Sequence, residues 1–241
     1  MSTLLQSLFF IPHYNPAFPA EVSPILVPGW TLNYEMFFYM VFAFSLWHPR
    51  SILVVSVLMV GLVIVGALVP FENAVAKTFT HNPILEFVAG LWLAKIYLSG
   101  RFASASRITG LGVFGLGVII AVAFPDVAAF ENERILRRGV PATLIITGVL
   151  IIEANKATPS SAFGLLIGNS SYCIYLTHIL AMGVLREIWQ RTWDISPSIL
   201  EAWFFLCSAL VFSTTCGIAC YWLVERLIER WLKKMVAIRR S

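Results

Sequence analysis

Charged side chains are scarce in this sequence. Asp, Glu, Lys and Arg make up only 12% of the 241 residues, whereas 59% are hydrophobic. Soluble domains typically carry roughly 25% charged residues. The composition therefore argues against a soluble helical bundle and predicts an integral membrane protein. The net charge of +4 does not predict nucleic-acid binding, because the basic residues lie in short connections and in the tail and form no single patch.

The sequence also lacks the short patterns of several common chemistries. HExxH, CxxC, GxSxG and Walker patterns are absent, so zinc hydrolysis, a serine elbow and ATP hydrolysis have no support. The four cysteines lie in apolar runs with no histidine beside them, and we predict neither a metal site nor a bound cofactor. Gly110–Gly115 matches GxGxxG inside an apolar run, where close helix packing explains glycines better than nucleotide binding.

Long apolar runs dominate what is present. Seven of them predict membrane-spanning helices, which need about 20 residues each. They are Trp30–Trp47, Ile52–Val69, Pro83–Leu98, Ile108–Phe124, Gly139–Ile152, Leu165–Trp189 and Leu200–Leu223. A shorter run, Leu4–Ile11, predicts the end of a helix whose beginning is absent. The predicted fold is all-α: one domain, residues 1–241, forming a polytopic membrane bundle of seven spans and a partial N-terminal helix.

Lys and Arg near the ends of the spans predict the orientation of the bundle. The tail is strongly basic, which predicts a cytoplasmic C-terminus. Its basic residues are Arg226, Arg230, Lys233, Lys234, Arg239 and Arg240. Seven spans then place residues 12–29 on the opposite side, together with Glu21, Lys77 and His81.

Two ionisable residues lie inside spans, Glu35 and His178. A charged group within a span costs roughly 2.5–3.5 kcal/mol on insertion scales, so each is a candidate functional residue. Glu35 has an alternative as a wet interfacial carboxylate near its helix start. His178 has an alternative as a hydrogen-bonded interhelical histidine. Tyr175 lies three residues before His178, on the same helix face.

A third candidate is Glu86, one turn after Pro83. The predicted topology puts Glu35 and Glu86 near the same membrane face, each within roughly 10 Å of the boundary. Two carboxylates at matching depth would line one polar pocket if their helices were adjacent.

Two motifs together resemble the membrane acyltransferase 3 family, in its exopolysaccharide O-acetyltransferase branch. The first consists of Trp30, Thr31, Leu32, Glu35, Phe38 and Tyr39. The second consists of Gly168, Asn169, Ser170, Ser171, Tyr172, Tyr175, Leu176 and His178. Further segments resemble the family at Phe9–Pro12, Ile84–Gly90 and Val224–Arg226, so the resemblance runs across almost the whole chain.

The resemblance implies transfer of an acyl group, acetyl, from acyl-CoA to a hydroxyl of a cell-surface or lipid-linked sugar. It also implies a bacterial inner membrane location and contacts with lipid. Glu35 and His178 would be catalytic, and Trp30, Tyr39, Glu86 and Tyr175 would bind substrate. Trp30 and Tyr39 would shape the outer mouth of one cavity.

The family carries a His regarded as the catalytic base on its first span, with an Arg upstream of it. Neither position is matched here, and we interpret the chain as an amino-truncated member. The alternative from another class is a non-catalytic membrane protein. Such a protein would be an exporter component or a proton-coupled transporter using Glu35 and His178 as a relay. A transporter should show related halves, and the sequence shows none.

Overall fold

The structure, a computed structural model, describes residues 2–124, 135–155, 161–192 and 198–238. Helices dominate these residues. They are α1 (Ser2–Leu8), α2 (Trp30–Ser45), α3 (Ser51–Leu68), α4 (Ala74–Phe79), α5 (Ile84–Leu98), α6 (Arg107–Ala123), α7 (Val140–Ala154), α8 (Ala162–Thr192), α9 (Ile199–Cys220) and α10 (Arg226–Ile238). Short 3₁₀ turns span Val27–Gly29 and Arg101–Ser104, and π-helical turns span Ile135–Gly139 and Tyr221–Glu225. Arg239 and Arg240 of the basic tail lie outside the described residues.

Each of the seven predicted spans contains a helix. Among the described residues, four stretches are long and apolar enough to cross a membrane: Ser51–Leu68, Ile135–Ala154, Ala162–Thr192 and Ile199–Met235. The helices α2, α5 and α6 have 16, 15 and 17 residues and fall short of that length. A nearly all-helical chain with four candidate membrane spans is therefore confirmed, and the count of seven spans stays a prediction.

The contacts divide the chain into two compact units, Met1–Thr158 and Pro159–Ser241. Each unit is described by itself below. The single domain over residues 1–241 stays a prediction.

The core of the first unit lies where α2, α3 and α5 meet. Tyr34, Val55, Met59 and Ile84 are its buried side chains. These residues belong to three helices that are almost uniformly apolar. A side chain of these helices is therefore buried when it lies on the face that contacts one of the other two helices. The indole of Trp92 donates a hydrogen bond to Ser56 Oγ at 3.1 Å, which satisfies a polar group at the α3–α5 contact.

Glycines bring α6 and α7 into close contact. A Cβ added at Gly148 would lie 2.5 Å from the backbone nitrogen of Phe114, and one added at Gly110 would lie 2.9 Å from Ile152 Cγ1. Close packing through small residues, expected for the glycine-rich run, is confirmed for Gly110. It is wrong for Gly112 and Gly115, which have nothing within 4 Å of an added Cβ, because they lie on other faces of α6.

A small hairpin precedes α2, within residues 12–29, for which the sequence predicted no span. Strands β1 (Tyr14–Asn15) and β2 (Phe18–Val22) pair antiparallel. The buried amide of Asn15 donates to Ser23 Oγ at 3.1 Å and to the carbonyl of Pro24 at 3.0 Å. These bonds hold the two ends of residues 15–24 together, a few residues before α2 begins. The all-α prediction therefore misses this two-stranded element. The predicted helices also do not include the short helix α4.

The second unit is built on the antiparallel-packed pair α8 and α9. Gly217 lies against α8 so closely that an added Cβ would come 2.5 Å from the Cα of Ile174. Ser170 is fully buried and donates to the carbonyl of Leu166 at 2.7 Å. Trp189 packs against Phe205 further along the same pair, with ring centroids 5.3 Å apart.

Candidate functional site

Glu35 lies in the second turn of α2 and is half-buried. Tyr39, one turn later, donates its hydroxyl to Glu35 Oε1 at 2.6 Å. The spacing of four residues puts the two side chains on one face of the helix, as the geometry of an α-helix requires. A short hydrogen bond to an ionised acceptor is among the stronger kinds. Glu35 is thus a fixed carboxylate within an apolar helix.

A polar pocket of about 390 Å³ lies at the start of the same helix. Trp30 and Tyr34 of α2 form one wall, with their rings edge to face at 5.7 Å. The remaining lining comes from β2, α4 and the residues that follow each of them. These are Ala20, Glu21, Val22, Ser23, Val27, Lys77, Thr78 and His81. The pocket combines one aromatic wall with a carboxylate, an ammonium and an imidazole. That is a lining suited to a ligand with many hydroxyl groups.

Sequence reasoning missed Glu21, Lys77 and His81 as site residues. The signal that could have found them was their shared side in the predicted topology, since all three fall between apolar runs on the side opposite the C-terminus. Glu21 lies on β2. Lys77 and His81 are positioned by α4, whose N-cap Asn73 accepts hydrogen bonds from the backbone of Val75 and Ala76. Lys77 then lies in the last turn of α4 and His81 just beyond the end of that helix.

Glu86 lies in the first turn of α5 and borders a second groove of about 410 Å³. This groove is almost entirely apolar. Its other lining residues are Phe38, Phe87, Gly90, Leu91 and Ala94. Phe38 and Phe87 stack with ring centroids 5.0 Å apart, so α2 and α5 are adjacent, as a common pocket would require.

The two carboxylates nevertheless have different neighbours. Glu86 lies beside the π-helical turn before α7, with its Oε1 3.9 Å from a Cβ added at Gly139. Glu35 is held by Tyr39. Tyr39 also does not line the polar pocket that holds Trp30, because nine residues of helix separate them, about 13 Å. In place of the expected single cavity, the structure has three separate features along α2 and α5. They are the hydrogen-bonded pair of Glu35 and Tyr39, the polar pocket beside Trp30 and the apolar groove beside Glu86.

In the second unit, His178 and Tyr175 are neighbours on α8, as their spacing predicts. Their ring centroids are 5.8 Å apart. Nδ1 of His178 contacts the carbonyl oxygen of Tyr175. A carbonyl can only accept, so Nδ1 carries the proton in the neutral ring and Nε2 holds the lone pair. The backbone thereby fixes the tautomer in which Nε2 can take a proton.

Cys173, one turn before Thr177, is the buried cysteine of this unit. Its thiol donates to Glu225 Oε2 at 3.0 Å and so joins α8 to the π-helical turn after α9. This thiol is therefore both buried and hydrogen-bonded. Within the described residues, no group of three His, Cys, Asp or Glu side chains is arranged to hold a metal ion.

Comparison with known proteins gives two matches. A family model described as an acyltransferase domain matches residues 1–222. The chain is 38% identical over 234 residues to the Exopolysaccharide production protein ExoZ of Rhizobium meliloti (strain 1021). That alignment covers 94% of this chain and 69% of the Rhizobium protein. No solved structure gives a significant match.

Proposed function

We propose that this chain, which belongs to the acyltransferase family, transfers an acetyl group from acetyl-CoA to a hydroxyl of an exopolysaccharide sugar. The observation that carries the proposal is the likeness to ExoZ over 94% of the chain, because that protein's name assigns it to exopolysaccharide production. The family match supports the reaction class, acyl transfer. Acetyl as the group and CoA as its carrier are the further steps of this proposal.

The chemistry requires one bond to form and one to break. The acceptor oxygen attacks the thioester carbonyl carbon, the carbon–sulfur bond breaks, and CoA leaves as a thiol with the proton that the sugar hydroxyl loses. A base near the hydroxyl speeds the attack, and donors near the carbonyl oxygen stabilise the charge that develops there.

The polar pocket at the start of α2 is the proposed acceptor site. The indole of Trp30 offers a flat apolar surface to a sugar ring, and Glu21, Lys77 and His81 offer partners to its hydroxyls. A volume of about 390 Å³ lies within the usual range for small-ligand sites, roughly 300–1,000 Å³. Glu35 lies further along α2 and does not line this pocket. Held by Tyr39, it is the proposed group that orients the base or receives a hydrogen bond from the reacting hydroxyl of an acceptor that extends beyond the pocket.

In the second unit, Nε2 of His178 is the proposed proton acceptor, and Tyr175 the residue that positions the ring. The short apolar helices α2, α5 and α6 are proposed to cross the inner membrane with the four longer stretches. The basic tail would then be cytoplasmic, where positively charged segments accumulate.

Transfer of labelled acetyl from acetyl-CoA to extracted exopolysaccharide tests this proposal. The assay uses membranes that contain this chain, and parallel membranes that contain it joined to the part of the Rhizobium protein outside the match. Transfer in either sample supports the enzyme. Correct insertion without transfer in both samples, over several polysaccharides and acyl-CoA donors, would refute the proposed substrates and favour a non-catalytic role.

A further inference from the structure

The last helix, α10, has an unusually sharp division into two faces. From Arg226 to Met235, its apolar residues are Leu227, Ile228, Trp231, Leu232 and Met235, and its charged residues are Arg226, Glu229, Arg230, Lys233 and Lys234. At about 100° per residue, the first set covers one continuous face and the second set covers the opposite face. The five apolar side chains are 48–58% exposed, so about half of their surface is open to the surroundings. This face differs from those of α9, which is apolar nearly all round.

Length places α10 beyond the hydrocarbon core. The 22 residues of α9 span about 33 Å, which already fills a core of roughly 30 Å. The π-helical turn Tyr221–Glu225 follows, and α10 adds another 13 residues. A helix in that position meets the headgroup region as it leaves the bilayer.

The charge of α10 matches one kind of surface. Four cations and one carboxylate give the helix a net charge of +3, and two more arginines follow it in the sequence. Glu229 is paired internally with Lys233. A cationic face opposite an apolar face with a central tryptophan is the arrangement of helices that lie in the surface of an anionic bilayer.

The junction allows a change of direction. π-helical turns interrupt the regular hydrogen-bond ladder and are common places for a helix to bend. The turn before α10 is such a segment, and the guanidinium of Arg226 lies 4.0 Å from the ring centroid of Trp222 there. This aromatic–cation pair suits the interface where hydrocarbon gives way to headgroups.

We infer that α10 is an interfacial helix that binds the surface of a membrane containing anionic phospholipid, with Leu227, Ile228, Trp231, Leu232 and Met235 inserted among the acyl chains. The cations bind lipid phosphates at the same time. This role is separate from acyl transfer, and it would anchor the end of the second unit at a fixed depth.

Site-specific photo-crosslinking in the full chain tests the inference. A photoreactive amino acid replaces Trp231 on the apolar face or Arg230 on the charged face, in nanodiscs of phosphatidylcholine with or without phosphatidylglycerol. We expect several-fold more lipid adducts at position 231 than at 230. Amide hydrogen exchange of residues 226–238 should slow when phosphatidylglycerol is present.

Charge variants separate lipid binding from mere helicity. The triple variant Arg230→Gln, Lys233→Gln and Lys234→Gln should lose the phosphatidylglycerol-dependent protection. Each cation removed should weaken binding of α10 to the anionic membrane by roughly fivefold. The charge-conserving swap Arg230→Lys, Lys233→Arg and Lys234→Arg should retain it. Removal of three exposed cations elsewhere, through Arg50→Gln, Arg101→Gln and Arg107→Gln, is the matched control and should leave it unchanged.

Two results would overturn the inference. One is protection that is equal in both kinds of nanodisc and unaffected by the triple glutamine variant. The other is protein adducts at position 231 that increase with protein concentration and persist in detergent, which would assign the apolar face to a second copy of the chain.

Discussion

The hydrogen bond between Tyr39 and Glu35 can be deleted by removing one oxygen, in Tyr39→Phe. The ring of Tyr39 stays in place, so the change isolates the 2.6 Å contact to Glu35 Oε1. Hydrogen bonds to charged groups contribute about 1.5–3 kcal/mol. Tyr39 is 50% exposed, and water replaces part of the lost bond, so we expect the lower end of that range. Since each 1.36 kcal/mol corresponds to a factor of about ten in rate, transfer should fall by about tenfold.

Glu35→Gln should have a larger effect than Tyr39→Phe. The amide keeps the shape of the side chain and can still accept from Tyr39, but it loses the negative charge. We expect a loss of at least roughly 100-fold, the lower bound for removing a positioned acid–base group. The double variant should be no slower than Glu35→Gln alone, because the two residues act as a unit.

The assay is the initial rate of labelled acetyl transfer, normalised to the amount of inserted protein. It is run on whichever form transfers acetyl, the chain alone or the chain joined to the remaining part of its Rhizobium relative. Tyr14→Phe is the matched control, because Tyr14 also donates its hydroxyl at 2.6 Å, to the carbonyl of Glu72. Full activity of Glu35→Gln would refute the role of Glu35. Full activity of Tyr39→Phe together with an inactive Glu35→Gln would refute only the positioning role of Tyr39.

Three further predictions concern the pocket, the histidine and the packing. Trp30→Ala should raise the KM for the acceptor by about tenfold through lost apolar contact and leave the KM for acetyl-CoA unchanged, as measured by varying each substrate in turn. His178→Asn keeps a donor toward the Tyr175 carbonyl but removes Nε2, so transfer should fall by roughly 100-fold with normal insertion; unchanged transfer would make the histidine structural. Gly148→Ala should destabilise the protein by about 1–3 kcal/mol in thermal unfolding, because its methyl group meets the backbone of α6, whereas Gly112→Ala, which meets nothing, should be neutral or stabilising.

The positions of the helices could be predicted from the sequence because apolar runs are local. Each run from Trp30 to Leu223 became a helix, and the pair Tyr175 and His178 came together because three residues of helix determine their spacing. The family resemblance was also carried by local motifs, and the family match confirms it.

The polar pocket could not be predicted, because its walls are far apart in the sequence. Glu21 and Lys77 come to line one pocket only when the hairpin and α4 both lie beside α2, and the sequence separates these elements by more than 50 residues. Glu86 illustrates the same limit: its depth relative to Glu35 follows from counting residues, but its neighbour Gly139 comes from another helix.

The length of α8 has a consequence for how His178 can be supplied with water. The helix has 31 residues, about 46 Å, and His178 lies about 24 Å from its first residue and about 21 Å from its last. A hydrocarbon core of roughly 30 Å can slide along this helix by only about 16 Å. If the core lies entirely within α8, His178 stays at least about 6 Å below its surface on either side. The proposed transfer of a proton to Nε2 would therefore need a hydrated path inside the protein or a proton carried by the substrate itself, and the hydration of that path would set how fast the ring exchanges a proton.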